Sequence, residues 1–384
     1  MLYSYTFANR TRDLSGVMST VIKDEPRFIS NFKPVADATA RKHEFWEDHL
    51  AGRSVTAYSA TDGILKMSTD DAAKLQIGTL ISLQDTPALF KVLEINGGNV
   101  TVMVASENGS NFDSVGLLPS AGGKFLIVST PMAEGSINGD GEESYQLGST
   151  NWNATQIFRK EIVLSGSALA VNLYGNADNQ LNRQTAFAMS ELARDLNRVA
   201  LFGRRMEPSA GVRGEAGGLY FFASILEAPL IPARNATLDS FIINDAAQTL
   251  LGEGGDPMQI LCSPGQARVI SREFSDRMQL LRSDDRRGAY VAVIVNEING
   301  KGMTILADPD MPDTDVWVLD PACFGLANLS GRAVTDTDAT PKGFDGIRRI
   351  AIGELTFEFK NIKQRCCRIS GLKPSSEAVN ELRG

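Results

Sequence analysis

Imidazole is scarce in this chain: its 384 residues include two histidines, His43 and His49. Both lie in KHEFWEDHLAG, residues 42–52, where His43-Glu44-Phe45-Trp46-Glu47 begins like the zinc motif HExxH. That motif needs a second imidazole four residues on, one helical turn away on the same face. Position 47 is Glu and His49 lies six residues from His43, so no zinc centre is expected. A Ser-His-Asp or Cys-His nucleophile would have to recruit one of the same two histidines, and no GxSxG turn is present. A hydrolase using His43 or His49 is the enzymatic alternative. The GEGGDP stretch at 252–257 is too short for GxGxxG and precedes a strand pattern, whereas phosphate loops follow one. The carboxylates of ADPDMPDTD (307–315) and NGDGEE (138–143) could offer oxygens to calcium, yet neither has the loop glycine and terminal bidentate Glu of an EF-hand. Solvated turns are the expectation there. Cys262, Cys323, Cys366 and Cys367 fit neither a disulfide framework nor a CxxC knuckle and read as buried thiols of a reducing compartment. No catalytic residue, metal or cofactor is expected.

The composition points the same way. Hydrophobic residues make up 43% of the chain, enough for a packed core, and 38 basic against 46 acidic residues leave a net charge of −8. Without a polybasic run, dedicated nucleic-acid binding is not expected. No stretch reaches the ~18 apolar residues of a membrane span, and the N-terminus lacks the pattern of a secretory signal. A soluble, unexported protein is expected. Locally the balance reverses: residues 346–373 carry seven basic residues, Arg348, Arg349, Lys360, Lys363, Arg365, Arg368 and Lys373, against Glu354 and Glu358. Pairing with acidic groups across a subunit interface is favoured there over phosphate binding.

Several elements would hold these groups. Short helices are predicted around 11–21 and 25–32. From 54 to 130 the apolar period is two: TLISLQ (79–84), LFKVLEI (89–95), VTVMVAS (100–106) and KFLIVS (124–129) read as strands of a small all-β module, with Asn96-Gly97-Gly98-Asn99 as a hairpin turn. The ATQIFRKEIVLSGSALAV stretch, 154–171, predicts a long strand with no local partner, to be covered by a distant strand or by another subunit. Residues 178–202 predict a long helix with Leu181, Ala188, Leu192, Leu196 and Val199 on one face, ended by Gly203. Further helices are expected at 237–251 and from Ser263-Pro264-Gly265-Gln266, a capping box in which Gln266 reaches back to the cap. Strands are expected at 258–262, either side of Asn299-Gly300, and across 347–370 with Leu355, Phe357 and Phe359 on one face.

In this order, RDLSGVMSTVIKDEPRFISNF (12–32), KHEFWEDHL (42–50), TQIFRKEIVLSGSALAV, ELARDLNRVALFG (191–203) and GGLYFF (217–222) resemble the major capsid proteins of tailed bacteriophages, in a branch formerly listed as a phage family of unknown function. The resemblance implies an α+β fold of the Hong Kong 97 type (HK97-like). Its parts would be an N-terminal arm (1–53), an E-loop region (54–177) carrying the all-β insertion (about 54–130), and a peripheral domain with the spine helix (178–219). An axial domain (220–345) and return strands of the peripheral domain (346–384) would follow. The unpaired strand would then lie on a neighbouring subunit. The implied function is self-assembly into hexamers and pentamers of an icosahedral shell enclosing phage double-stranded DNA without sequence-specific binding. A separate scaffolding protein, a portal and cement proteins would be partners, and assembly would take place in the host cytoplasm before residence in the virion. Phe45, Trp46, Trp152 and Phe158 are the expected aromatic contacts between subunits, with Glu191, Arg194, Asp195 and Arg198 on the spine helix. A phage tail or head-decoration protein is the non-enzymatic alternative.

Overall fold

The computed structural model describes residues 26–48, 54–61, 63–83, 88–104, 123–131, 148–170, 180–273 and 293–381. The predicted helix at 11–21 and the acidic stretch 138–143 lie outside them. The chain divides into two compact units, one formed by Met1–Glu47 with Thr150–Gly384 and the other by Asp48–Ser149. The larger unit opens with a 3-10 turn, Ile29–Asn31, in place of the predicted second helix, followed by β1 (Lys33–Pro34) and β2 (Lys42–Glu47).

The smaller unit is a closed barrel. Its strands are β3 (Ser54–Thr61), β4 (Ile64–Met67), β5 (Leu80–Leu83), β6 (Leu89–Asn96), β7 (Asn99–Val104) and β8 (Gly123–Ser129), with a one-turn helix α1 (Thr69–Ala72) after β4. They pair in the order β3-β4-β7-β6-β5-β8, and β8 returns to β3. Period-two alternation sends Val55, Leu65, Ile81, Phe90, Val92, Val100, Val102 and Phe125 inward, where they fill the barrel. The β6–β7 hairpin turns on Gly97 at φ +58, and a Cβ on Gly98 would fall 2.5 Å from the Met67 carbonyl oxygen. Strands β3 and β4 were not read from the sequence: β3 is SVTAYSAT, inward residues Ala57 and Ala60 are small, and its register shifts between Ala57 and Ser59.

In the larger unit follow β9 (Ser149–Ala154), β10 (Gln156–Ser165), α2 (Gly166–Ala170), α3 (Gln180–Phe202), α4 (Leu219–Ile225), β11 (Leu230–Pro232), α5 (Ser240–Gly252), β12 (Gln259–Cys262) and α6 (Pro264–Glu273). Then come β13 (Val293–Val295), β14 (Gly302–Ala307), β15 (Val316–Leu319), β16 (Phe324–Asn328), β17 (Thr335–Asp338), β18 (Gly346–Phe359), α7 (Ile362–Arg365), β19 (Cys366–Ser370) and α8 (Ser375–Glu381). A five-stranded sheet runs β1-β16-β18-β10 with β17 also on β18, a six-stranded sheet runs β11-β19-β15-β12-β14-β13, and β2 pairs with β9.

The long strand expected on a neighbouring subunit is β10, and its partner is in its own chain. It pairs antiparallel with β18 over ten positions, from Gln156↔Leu355 to Ser165↔Gly346. The 347–359 segment is one continuous strand long enough to match it, and Phe158 and Ile162 turn inward beneath α3. Helix α3 buries Ala188, Leu192, Leu196 and Ala200, largely the predicted stripe. The six-stranded sheet is covered on both faces. Ile260, Val316, Val318 and Cys367 meet α5, α6 and α8, whereas Leu261, Trp317, Leu319 and Cys366 join the core around α3 and α4.

Phe28, Phe32 and Phe45, in the segment expected as an arm, join that same core. Phe32 packs on Phe324, Phe357 and Phe359 at ring distances of 5.2, 5.4 and 5.7 Å, and Phe28 on Phe32 at 5.2 Å. Strand β2 is tied down by His43, whose Nε2 lies 2.6 Å from Glu358 Oε1, while Lys360 Nζ lies 2.6 Å from Glu358 Oε2. Burial disfavours the Glu358 charge, but His43 and Lys360 outweigh it and hold the carboxyl below its ordinary value. Five of the seven basic residues of 346–373 pair within the chain, contrary to the expected pairing across subunits. Arg348 meets Glu161, Arg349 meets Asp336, Lys360 meets Glu358, Arg365 meets Asp320 and Arg368 meets Asp315. These strands present their cations to acidic strands and turns beside them in the fold. At α6, Ser263 Oγ accepts from the Gln266 N–H as predicted, but the Gln266 side chain donates to the Asp313 and Lys373 carbonyls instead of reaching back.

Three outcomes follow from this packing. Phe32→Ala removes the ring at the centre of the aromatic cluster and should lower stability by about 3–5 kcal/mol in urea unfolding. Strands β2 and β9 are paired, the Thr155 N–H donating to the Arg41 carbonyl and Asn151 Nδ2 to Glu47 Oε2. Replacing residues 48–149 with Asn-Gly should therefore close a hairpin and leave the helical circular dichroism of the larger unit intact; its collapse would refute the division into units. Because the Glu358 pKa is depressed on folding, its stabilisation is complete above about pH 4.3 and is lost as pH falls through the lower folded value. Urea midpoints should drop below that pH, and Glu358→Gln should flatten the drop.

Candidate functional site

The groups singled out for chemistry are engaged in structure. Each aspartate of the 308–315 loop binds donors from other segments. Asp308, fully buried, accepts from the Phe28 N–H at 3.0 Å and from Asn197 Nδ2 at 3.0 Å. Asp310 takes Arg198 Nε at 3.0 Å, Asp313 takes Ser263 Oγ and the Ser375 N–H, and Asp315 takes Arg368 and the Tyr220 hydroxyl. Among the described residues no cluster of His, Cys, Asp or Glu is arranged to hold a metal. His43 is on strand β2 against Glu358, not on a helix; His49 lies outside the described residues.

The expected contact residues differ in exposure. Phe45 and Phe158 are buried, 4% and 5% exposed, in the larger unit's own core, with the Phe45 ring 6.2 Å from Phe222. Alternation along β2 and β10 puts these two rings on the inward face. Trp152 is partly covered, with the Arg205 guanidinium 4.1 Å from its ring centre and Arg205 Nη1 donating to its carbonyl at 2.8 Å. Trp46, by the same alternation that buries Phe45, is 59% exposed. On α3, Lys160 Nζ reaches Asp195 at 2.6 Å and Glu191 at 3.8 Å, and those carboxylates raise the lysine's pKa. Arg198 is held by Asp310, and Arg194 is half-buried.

Sequence reading missed the apolar side chains at the rims of the two sheets. On β10, outermost in the five-stranded sheet, Ile157 and Val163 are more than half exposed and flank the Arg159–Glu161 ion pair. On the edge strands β11 and β13 of the six-stranded sheet, Leu230, Val293 and Val295 are exposed, as is Phe241 in the first turn of α5. The signal for Phe241 was present: it falls off the stripe of Ile243, Ala246, Ala247 and Leu250 that faces the core. For β10 the outward face could be identified only once α3 was known to lie on the other. Edge strands with exposed apolar residues are surfaces to which another chain can add, and charges such as Arg159 and Glu161 restrict which chain does so.

The family described as SU10 major capsid protein has a model that matches residues 2–373. Similar solved structures include a chain of Mycobacterium phage Bobi, 11% identical, with a TM-score of 0.47 over 94% of this chain and 95% of that one. A chain of Mycobacterium phage Cain is 10% identical, with a TM-score of 0.46 over 96% of each chain. The capsid of an empty GTA particle is 10% identical, with a TM-score of 0.48 over 96% of each. No curated protein matches. With the family's pattern extending over nearly its whole length, the chain belongs to the SU10 major capsid protein family, as a structural, shell-forming subunit of a virion.

Proposed function

We propose that copies of this chain, joined as hexamers and pentamers, close an icosahedral shell around packaged double-stranded DNA. The observation that carries this reading is the family match over residues 2–373. Heterologous contacts that close by rotation give rings, and obligate interfaces commonly bury ~2,000–5,000 Å². Trp46, Ile157 and Val163 supply apolar side chains for such contacts, with Arg194 and the ion-paired Glu191, Asp195 and Arg198 at their margins. Trp152, capped by Arg205, is a secondary candidate. Residues 1–53, 54–177, 178–219, 220–345 and 346–384 would serve as arm, E-loop region, peripheral domain, axial domain and return strands, with 149–165 of the E-loop region rooted in the larger unit through β9 and β10. The net charge of −8 suits a wall that encloses its genome without gripping it. A separate scaffolding protein, a portal and cement proteins would act with it during assembly in the host cytoplasm.

Negative-stain microscopy of the purified protein tests this: closed shells or capsomer rings are expected, and a monodisperse monomer at high concentration would count against it. Ile157→Asp with Val163→Asp should change unfolding free energy by no more than about 0.5 kcal/mol per site, since both side chains face outward. The same pair should abolish particles in sedimentation; normal shells from the double variant would remove the outer face of β10 from the interface.

A further inference from the structure

Cys323 and Cys366 lie where the chain crosses between the two sheets of the larger unit. Cys323 ends the 3-10 turn Pro321–Cys323 that leads from β15, in the six-stranded sheet, to β16, in the five-stranded one. Cys366 opens β19, just after α7 carries the chain back from β18. The two crossings run side by side: the Asp320 N–H donates to the Arg365 carbonyl at 2.9 Å, the Lys360 N–H to the Cys323 carbonyl at 3.0 Å, and Arg365 Nη1 to Asp320 Oδ2 at 3.2 Å. At their centre the two sulfurs are 3.6 Å apart and buried. Strand alternation turns Cys367 to the opposite face, into the core that also holds Cys262. Cys323 and Cys366 are thus the thiols whose sulfurs face each other across the crossings.

We propose that Cys323 and Cys366 are a latent intrachain disulfide site, closed by thiol–disulfide exchange with a low-molecular-weight disulfide of the glutathione type. One thiol gives its proton to solvent and its sulfur attacks the small disulfide, forming a mixed disulfide and releasing one small thiolate, which takes up a proton. The second protein sulfur then attacks the first, forming the Cys323–Cys366 bond and expelling the second small thiol. Two protein thiols are oxidised and one small disulfide is reduced to two thiols. A disulfide spans about 2.05 Å, so the sulfurs must approach by about 1.5 Å, within the reach of side-chain torsions. Burial raises the Cys323 thiol well above its ordinary value and both sulfurs are sealed from solvent, so exchange proceeds through transient opening of the crossing. Reduced, the Cys323 thiol donates to the Asp320 carbonyl at 2.9 Å; oxidised, the pair would join the two sheets covalently across a 43-residue separation.

The test uses the full chain, reduced and then incubated with oxidised glutathione, in buffer and at a urea concentration that partly opens the fold, followed by alkylation of the remaining thiols and non-reducing peptide mapping. The expected product has lost two hydrogens, links Cys323 to Cys366 in a single chain, leaves Cys262 and Cys367 alkylated, forms faster in urea, and melts about 5 °C higher until dithiothreitol restores the starting value. Cys367→Ala should give the same link, and Cys323→Ala should give none. Four alkylated cysteines after opening and refolding with oxidised glutathione, a link through Cys367 or Cys262, or a bond between chains would overturn the proposal. The mapping needs only the unaltered chain, so it stands even where a cysteine variant fails to fold.

Discussion

A buried carboxyl group with donors from three places organises the larger unit. Asp308 is sealed from solvent, and its oxygens accept from the Phe28 N–H, the Asn197 amide and the Asp310 N–H at 2.9 Å. An ionised carboxylate left without donors in such a place would cost several kcal/mol. The turn before β1, helix α3 and the loop after β14 must therefore reach their positions together. The next aspartates extend the demand. Burial opposes the Asp313 charge, yet the Ser263 hydroxyl and the Ser375 N–H hold its carboxyl below the usual range, joining the starts of α6 and α8. Asp315 joins β19 to α4 through Arg368 and Tyr220. Six distant parts of the sequence converge on one short loop, which couples local order to the whole fold.

Packing supplies the rest of the cohesion. The six-stranded sheet has all four residues of β12 and of β15 buried, so these strands read as continuous apolar runs rather than alternating ones. The five-stranded sheet has one face in the phenylalanine cluster and another, along β10, with apolar residues in solvent. In the proposed shell, Ile157 and Val163 are side chains left for contacts between copies, so the two faces of β10 would separate what folds the chain from what its copies use.

Local signals were legible in the residues. The stripe of Ala188, Leu192 and Leu196 revealed α3, Asn96-Gly97 and Asn299-Gly300 marked their hairpins, and Ser263 marked the start of α6. What the residues could not show was pairing at a distance. The partner of β10 lies far along the chain, behind Gly353, which made β18 read as two strands. The arginines of β18, α7 and β19 looked like an excess because their acids, Glu161, Asp336, Asp320 and Asp315, come from other stretches. Phe45 and Trp46 are adjacent and chemically alike, and only the pleat of β2 decides which is core and which is surface. The phenylalanines at 28 and 32 gave no sign that they would enter a core assembled from residues after 190.

The barrel has a different relation to the chain than any other element. It interrupts the covalent path between two strands that are hydrogen-bonded to each other, so its entry and exit points are anchored side by side in the larger unit's own frame. Such a junction is indifferent to what it carries: any foreign domain whose two termini sit a strand's width apart could be spliced there without rerouting the frame, making Glu47 and Thr150 natural grafting points.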